Sequence, residues 1–75
     1  MNAELLVILA AHGITDDPTT DPQVLAEVAT DVLDDLERDV VRFLEGIVGT
    51  DPKNTAARRD ARALLGTVRA ERAAR

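Results

Sequence analysis

Seventy-five residues with 14 acids, nine Lys or Arg and a single His give a formal net charge of −5. A chain of this length supports one thin core worth roughly 3–5 kcal/mol, so it relies on disulfides, a metal or another chain for more. Cysteine is absent, which excludes disulfides and thiolate chemistry, and the lack of Ser, Trp and Tyr removes the usual hydroxyl nucleophile and most aromatic stacking platforms.

The first predicted element is a short helix over about residues 3–12. Asn2 stands at its capping position, and Glu4 lies in the first turn, where the helix dipole favours a carboxylate. Gly13 suits the left-handed position after the helix, with Ile14 folding back on Leu9 in a Schellman arrangement. Leu5, Leu6, Val7, Ile8 and Leu9 point all around the axis of such a helix, so no single packing face buries them. The apolar run Leu5–Ala11 is far shorter than the roughly 20 residues that span a bilayer. A secretory leader would carry a base where Glu4 stands. The expectation is a soluble protein with no membrane contact, cytoplasmic or held in an intracellular assembly such as a virion.

Residues 15–21 form a polar loop of turn formers, after which Asp21 and Pro22 give a cap-then-proline helix start. A long spine helix is predicted over about 22–48, ending at Gly49. Its apolar stripe is Leu25, Ala29, Val32, Leu36, Val40, Phe43 and Ile47, at an average step of about 3.67 residues. That spacing fits a globular bundle better than a left-handed coiled coil. Asp51 and Pro52 repeat the start signal, and a third helix is predicted over about 52–73, antiparallel to the spine, with Ala57, Ala61, Leu64, Leu65 and Val68 on its inner face. The fold class is therefore all-α, a small three-helix bundle, and residues 1–75 form one helical domain.

Charge divides that domain. Residues 1–51 hold 12 acids and two bases, a balance of −10, whereas residues 52–75 hold seven bases and two acids, a balance of +5. An acidic body and an Arg-rich helix attract each other or two different partners.

Few residues offer catalytic chemistry. His12, the one imidazole, sits at a helix C-terminus, where a cation complements the dipole. Its neighbours Thr15, Asp16 and Asp17 match no zinc or EF-hand spacing. Glu27, Asp31, Asp34 and Asp35 share a helix face without the Glu-x-x-His pairs of a di-metal bundle, and read as a solvated acidic surface. Asp34 with Arg38 and Asp39 with Arg42 are expected helix-surface pairs. No enzyme, cofactor, metal or small-molecule substrate is indicated.

Two surfaces remain as partner sites. The aliphatic surplus of Leu5, Leu6, Val7, Ile8 and Leu9, joined by Val41, Leu44 and Val48, points to a protein partner or a homo-oligomer. Arg58, Arg59, Arg62 and Arg69 form a candidate face for phosphates, although no base-reading side chains lie between them and the acidic body repels a polyanion. The expected role is a non-catalytic interaction module, self-associating or a subunit of a larger assembly. The alternatives are a small nucleic-acid-associated protein and an acidic decoy of a DNA-binding protein.

Overall fold

Three capping side chains start the helical elements where the sequence places them. In the computed structural model, which describes residues Met1–Arg75, Asn2 accepts hydrogen bonds from the backbone N–H groups of Glu4 (2.8 Å) and Leu5 (3.3 Å) and opens α1, Ala3–Ala11. Gly13, at φ +78°, closes it. The Ile14 N–H reaches the Leu9 carbonyl at 2.9 Å and the Gly13 N–H reaches Ala10 at 2.9 Å, which is the Schellman pattern. Asp51 likewise accepts from the Lys53 N–H (2.9 Å) and starts α3, Pro52–Ala73.

The spine differs from expectation. Asp21 and Pro22 start only a 3-10 turn, Pro22–Leu25, and α2 begins at Thr30 and ends at Gly46 instead of running from 22 to 48. Ala29 breaks the path with extended backbone (ψ 148°) and no side-chain cap bond. A continuous helix of that span would be about 40 Å long, against the 36 Å longest dimension of the observed molecule. Instead the chain tightens into i→i+3 bonds, with Val24, Ala26 and Val28 donating to Asp21, Gln23 and Leu25. Leu25 becomes fully buried, and Val24 and Val28 pack against the core.

Arg75 secures this bend. Its guanidinium donates to the Leu25 carbonyl and the Thr30 hydroxyl, both at 3.0 Å, and pairs with Glu71 at 3.2 Å. The preceding loop is ordered as well. Asp17 accepts from the Thr19 hydroxyl (2.6 Å), the Thr19 N–H (2.9 Å) and the Thr20 hydroxyl (3.2 Å), folding a turn around the fully buried Pro18. At the other end, Gly49 takes φ +97°. Asn54 donates to the Val48 carbonyl (2.8 Å) and Arg58 donates to the Gly49 carbonyl, so α3 holds the α2–α3 turn in place.

The core is aliphatic: Leu5, Leu9, Ile14, Leu25, Leu33, Leu36, Val40, Ala61, Leu64, Leu65 and Val68, with no buried charged residue. The inner stripe expected for α3 is the one observed. The architecture is an all-α bundle in which α2 and α3 form the main antiparallel pair and α1 packs across α2. No helix is long and apolar enough to cross a membrane.

Candidate protein-interaction surface

The eight aliphatics expected at an interface separate into three groups. Leu5 and Leu9 are fully buried in the core and present nothing to a partner, because α1 turns the i, i+4 row towards α2. Ile8, Val41 and Leu44 are half-buried and pack against that core. Leu6, Val7 and Val48 face outward, 45%, 68% and 82% exposed. With Met1, they are the only large exposed hydrophobic side chains of the chain. The all-round apolarity of α1 is therefore answered by the bundle on one side only. Its exposed residues are Ala3, Leu6, Val7, Ala10 and Ala11, with Glu4 as the single charge.

Val48 stands on the α2–α3 turn and lines a groove of about 510 Å³. Phe43, Ile47 and Ala57 complete its apolar lining, and Asn2, Glu4, Arg42, Lys53 and Asn54 supply the polar one. The groove joins the start of α1 to the turn because Asn2 is tied to α3: its backbone N–H donates to Asp60 at 3.0 Å. The sequence reading did not single out the half-buried Phe43 and Ile47, with the buried Ala57 beneath them, as the lining of a groove. All three belong to predicted inner stripes, and only the position of α1 leaves the top of those stripes open.

Two internal ties fix α1. Besides the bond from Asn2 to Asp60, Nε2 of His12 lies 2.8 Å from Asp39 on α2. His12 thus occupies the helix C-cap, as expected, and also bridges two helices. Asp39 further receives Arg42 loosely, at 3.8 Å.

The arginine face is largely engaged within the chain. Arg58 bonds the Gly49 carbonyl and Arg69 lies 3.5 Å from Glu37. Arg59 contacts Asp60 at 3.9 Å, a distant pair on a side chain that is mostly exposed, and Arg62 is exposed without a partner. Arg72, one helical turn after Arg69, donates to Glu37 at 2.8 Å. Its Nε sits 2.7 Å from the buried Oδ1 of Asp34, off the hydrogen-bond line, so that contact is coulombic. The hydrogen bond to Glu37, reinforced by Asp34, holds the Arg72 guanidinium still more firmly protonated than usual.

This network corrects two expectations. Asp34 is half-buried against α3 rather than solvated, and Arg38 pairs with Asp35 (3.4 Å) instead of Asp34. The register of α2 against α3 places Asp34 and Glu37 on the seam, leaving Asp31 and Asp35 outward. No three His, Asp or Glu side chains converge as a metal site. Comparison with protein-family models, with curated proteins and with solved structures finds no match in any of the three.

Proposed function

We propose that the chain is a non-catalytic helical interaction module, acting through self-association or as a subunit of a larger assembly, at the outward face of α1 and the adjoining α2–α3 turn. The observation that carries this reading is the grouping of Leu6, Val7 and Val48, with Met1, on those two elements while every other large aliphatic is buried or half-buried. Covering a Val or Leu side chain contributes about 1.5–3 kcal/mol at full burial, less here because Leu6 is already half covered. For a domain with so thin a core, such a contribution rivals the stability of the fold itself.

The polar side chains argue in the same direction. His12 bridges to Asp39, Asn2 and Asp51 cap helices, and Asp17 holds a turn, so the groups best suited to proton transfer have structural partners. The phosphate-binding alternative keeps only Arg59 and Arg62 freely exposed. The decoy alternative keeps Asp31 and Asp35, but loses Asp34 and Glu37 to arginines. A cytoplasmic or assembly-bound location belongs to the same proposal.

The test is the mass of the particle that contains the chain, measured by sedimentation for the purified protein and for native extract. The wild type is expected in a particle larger than its own 8.1 kDa in at least one of the two. The Leu6→Asp/Val7→Asp/Val48→Asp variant, altered only at exposed positions, is expected to be a folded monomer in both. A wild type that sediments as a lone chain in both preparations refutes the reading.

A further inference from the structure

The geometry points to a second copy of this chain as the partner of the α2–α3 turn: each copy seats its Val48 over the Phe43–Ile47 groove of the other and pairs its Glu4 with the other's Lys53. This rests on the interaction reading above and names its partner. Three observations at the groove converge on it.

The turn carries a knob and a hole together. Val48, 82% exposed, forms the outer wall of a groove of about 510 Å³ whose other apolar lining is Phe43, Ile47 and Ala57, so its free face can enter the same groove of a second copy. The same groove carries one acid, Glu4 from α1, and two bases, Arg42 from α2, which is loosely paired with Asp39, and Lys53 from α3. Neither Glu4 nor Lys53 forms an ion pair, with the other or with any other residue. A patch holding both members of an unformed pair and both halves of a packing contact is complementary to itself under a two-fold rotation. That rotation brings each Glu4 to the other copy's Lys53, so the pair forms twice.

Other partners fit less well. A uniformly acidic segment would satisfy Lys53 and the loosely held Arg42 but would meet Glu4 with like charge, and a basic segment reverses the fault. The opposite end of the bundle lacks this character, since Arg69, Arg72 and Arg75 there are already paired with Glu37, Asp34 and Glu71.

The pairing is weak by construction. The molecule is 19 Å across in both short dimensions, so an end-on contact covers well under the roughly 800 Å² per partner of a standard interface. The concentrations that test so small a contact therefore run from about 10 μM to 1 mM.

The experiment is sedimentation equilibrium of the purified chain across that range, with helicity checked by circular dichroism. The wild-type mass is expected to rise from 8.1 kDa towards twice that value, and Val48→Asp to keep it at the lower value. Glu4→Lys and Lys53→Glu are each expected to dimerise at least about tenfold more weakly, since each puts two like-charge contacts into the dimer. An equimolar mixture of those two variants is expected to recover the wild-type affinity, because their altered charges match only across unlike chains. A wild type that stays at 8.1 kDa up to about 1 mM overturns the proposal. So does a dimer indifferent to Val48→Asp, or a mixture that fails to associate. A purified monomer that still enters a larger particle in native extract through Leu6 and Val7 overturns self-pairing and leaves the interaction module standing.

Discussion

Two Gly→Ala substitutions with the same chemistry should move stability in opposite directions. Gly13 holds φ +78° at the end of α1, in the left-handed region, and an added methyl there would meet nothing within 4 Å. The cost of Gly13→Ala is therefore backbone conformation alone, about 1–2 kcal/mol for an L-residue forced into that region, offset in part by the reduced freedom of the unfolded chain. A net loss of about 1 kcal/mol is expected. Gly66 lies inside α3, exposed, with the same open space around an added methyl. Gly66→Ala gains helix propensity, about 1 kcal/mol. The unfolding entropy of 75 residues is about 0.16 kcal/mol per kelvin, so each kcal/mol shifts Tm by about 6 °C. Thermal melts followed by circular dichroism should place the two variants about 12 °C apart, with the wild type between them. A Gly13→Ala variant that melts at or above the wild-type temperature would refute the left-handed assignment at Gly13, and a Gly66→Ala variant that melts below it would refute the open helix interior at Gly66.

Neighbouring leucines of α1 provide a second contrast: Leu5→Ala, at a fully buried site, should cost about 2–5 kcal/mol, whereas Leu6→Ala, at a side chain 45% exposed, should cost under about 1 kcal/mol, as read from urea midpoints. His12→Ala removes the 2.8 Å tie from α1 to Asp39, worth about 1 kcal/mol. It should speed amide exchange in α1 by about fivefold while α2 and α3 keep their protection; an equal change in all three helices would contradict the local role of this contact. The hydrogen bond from the Thr19 hydroxyl holds the Asp17 carboxyl below its ordinary 3.8; burial opposes it, and the Thr19 amide and the Thr20 hydroxyl add smaller lowering contributions. A depressed folded value means that Asp17 stabilises the protein above its unfolded pKa and ceases to do so as pH falls through the folded one. Asp17→Asn should therefore be less stable than wild type at neutral pH, and the difference in denaturation midpoints should shrink as pH falls through the ordinary carboxylate range and disappear once Asp17 is protonated in the folded state too.

What was legible in the sequence was local. Asn2, Gly13 with Ile14, and Asp51 with Pro52 each act within a few residues, and each appears where the residue types place it. Asp21 and Pro22 show the limit of such signals. They specify a first turn and nothing about the fourth, and the bend at Ala29 is bridged by Arg75, a residue distant in the chain. Val28 and Thr30, β-branched on either side of that bend, lower the cost of leaving the helix there. The orientation of α1 was likewise hidden, because five consecutive aliphatics give no direction. Leu5 and Leu9 turn inward through Asn2–Asp60 and His12–Asp39, contacts separated by 58 and 27 residues. The seam of Asp34 and Glu37 with Arg69 and Arg72 needed the register of two helices before the acids could be told apart from Asp31 and Asp35.

The uneven charge of the chain gains its meaning from that register. The Arg-rich helix runs antiparallel to α2, so its later arginines fall beside the acids at the start of α2, and Arg75 closes over Leu25 and Thr30. Attraction between the two halves is satisfied at that end, where exposed pairs add little singly but form a connected set. At the α2–α3 turn the same helix presents Lys53 beside Glu4 with the two unjoined, above an apolar groove and next to the most exposed valine of the chain. The arginines at one end of the bundle are thus paired within the chain, whereas Lys53 at the other end is not. An association that neutralises Glu4 and Lys53 must weaken as salt rises, while one driven only by Leu6, Val7 and Val48 must not. The salt dependence of the sedimentation mass therefore separates recognition at the turn from simple covering of α1.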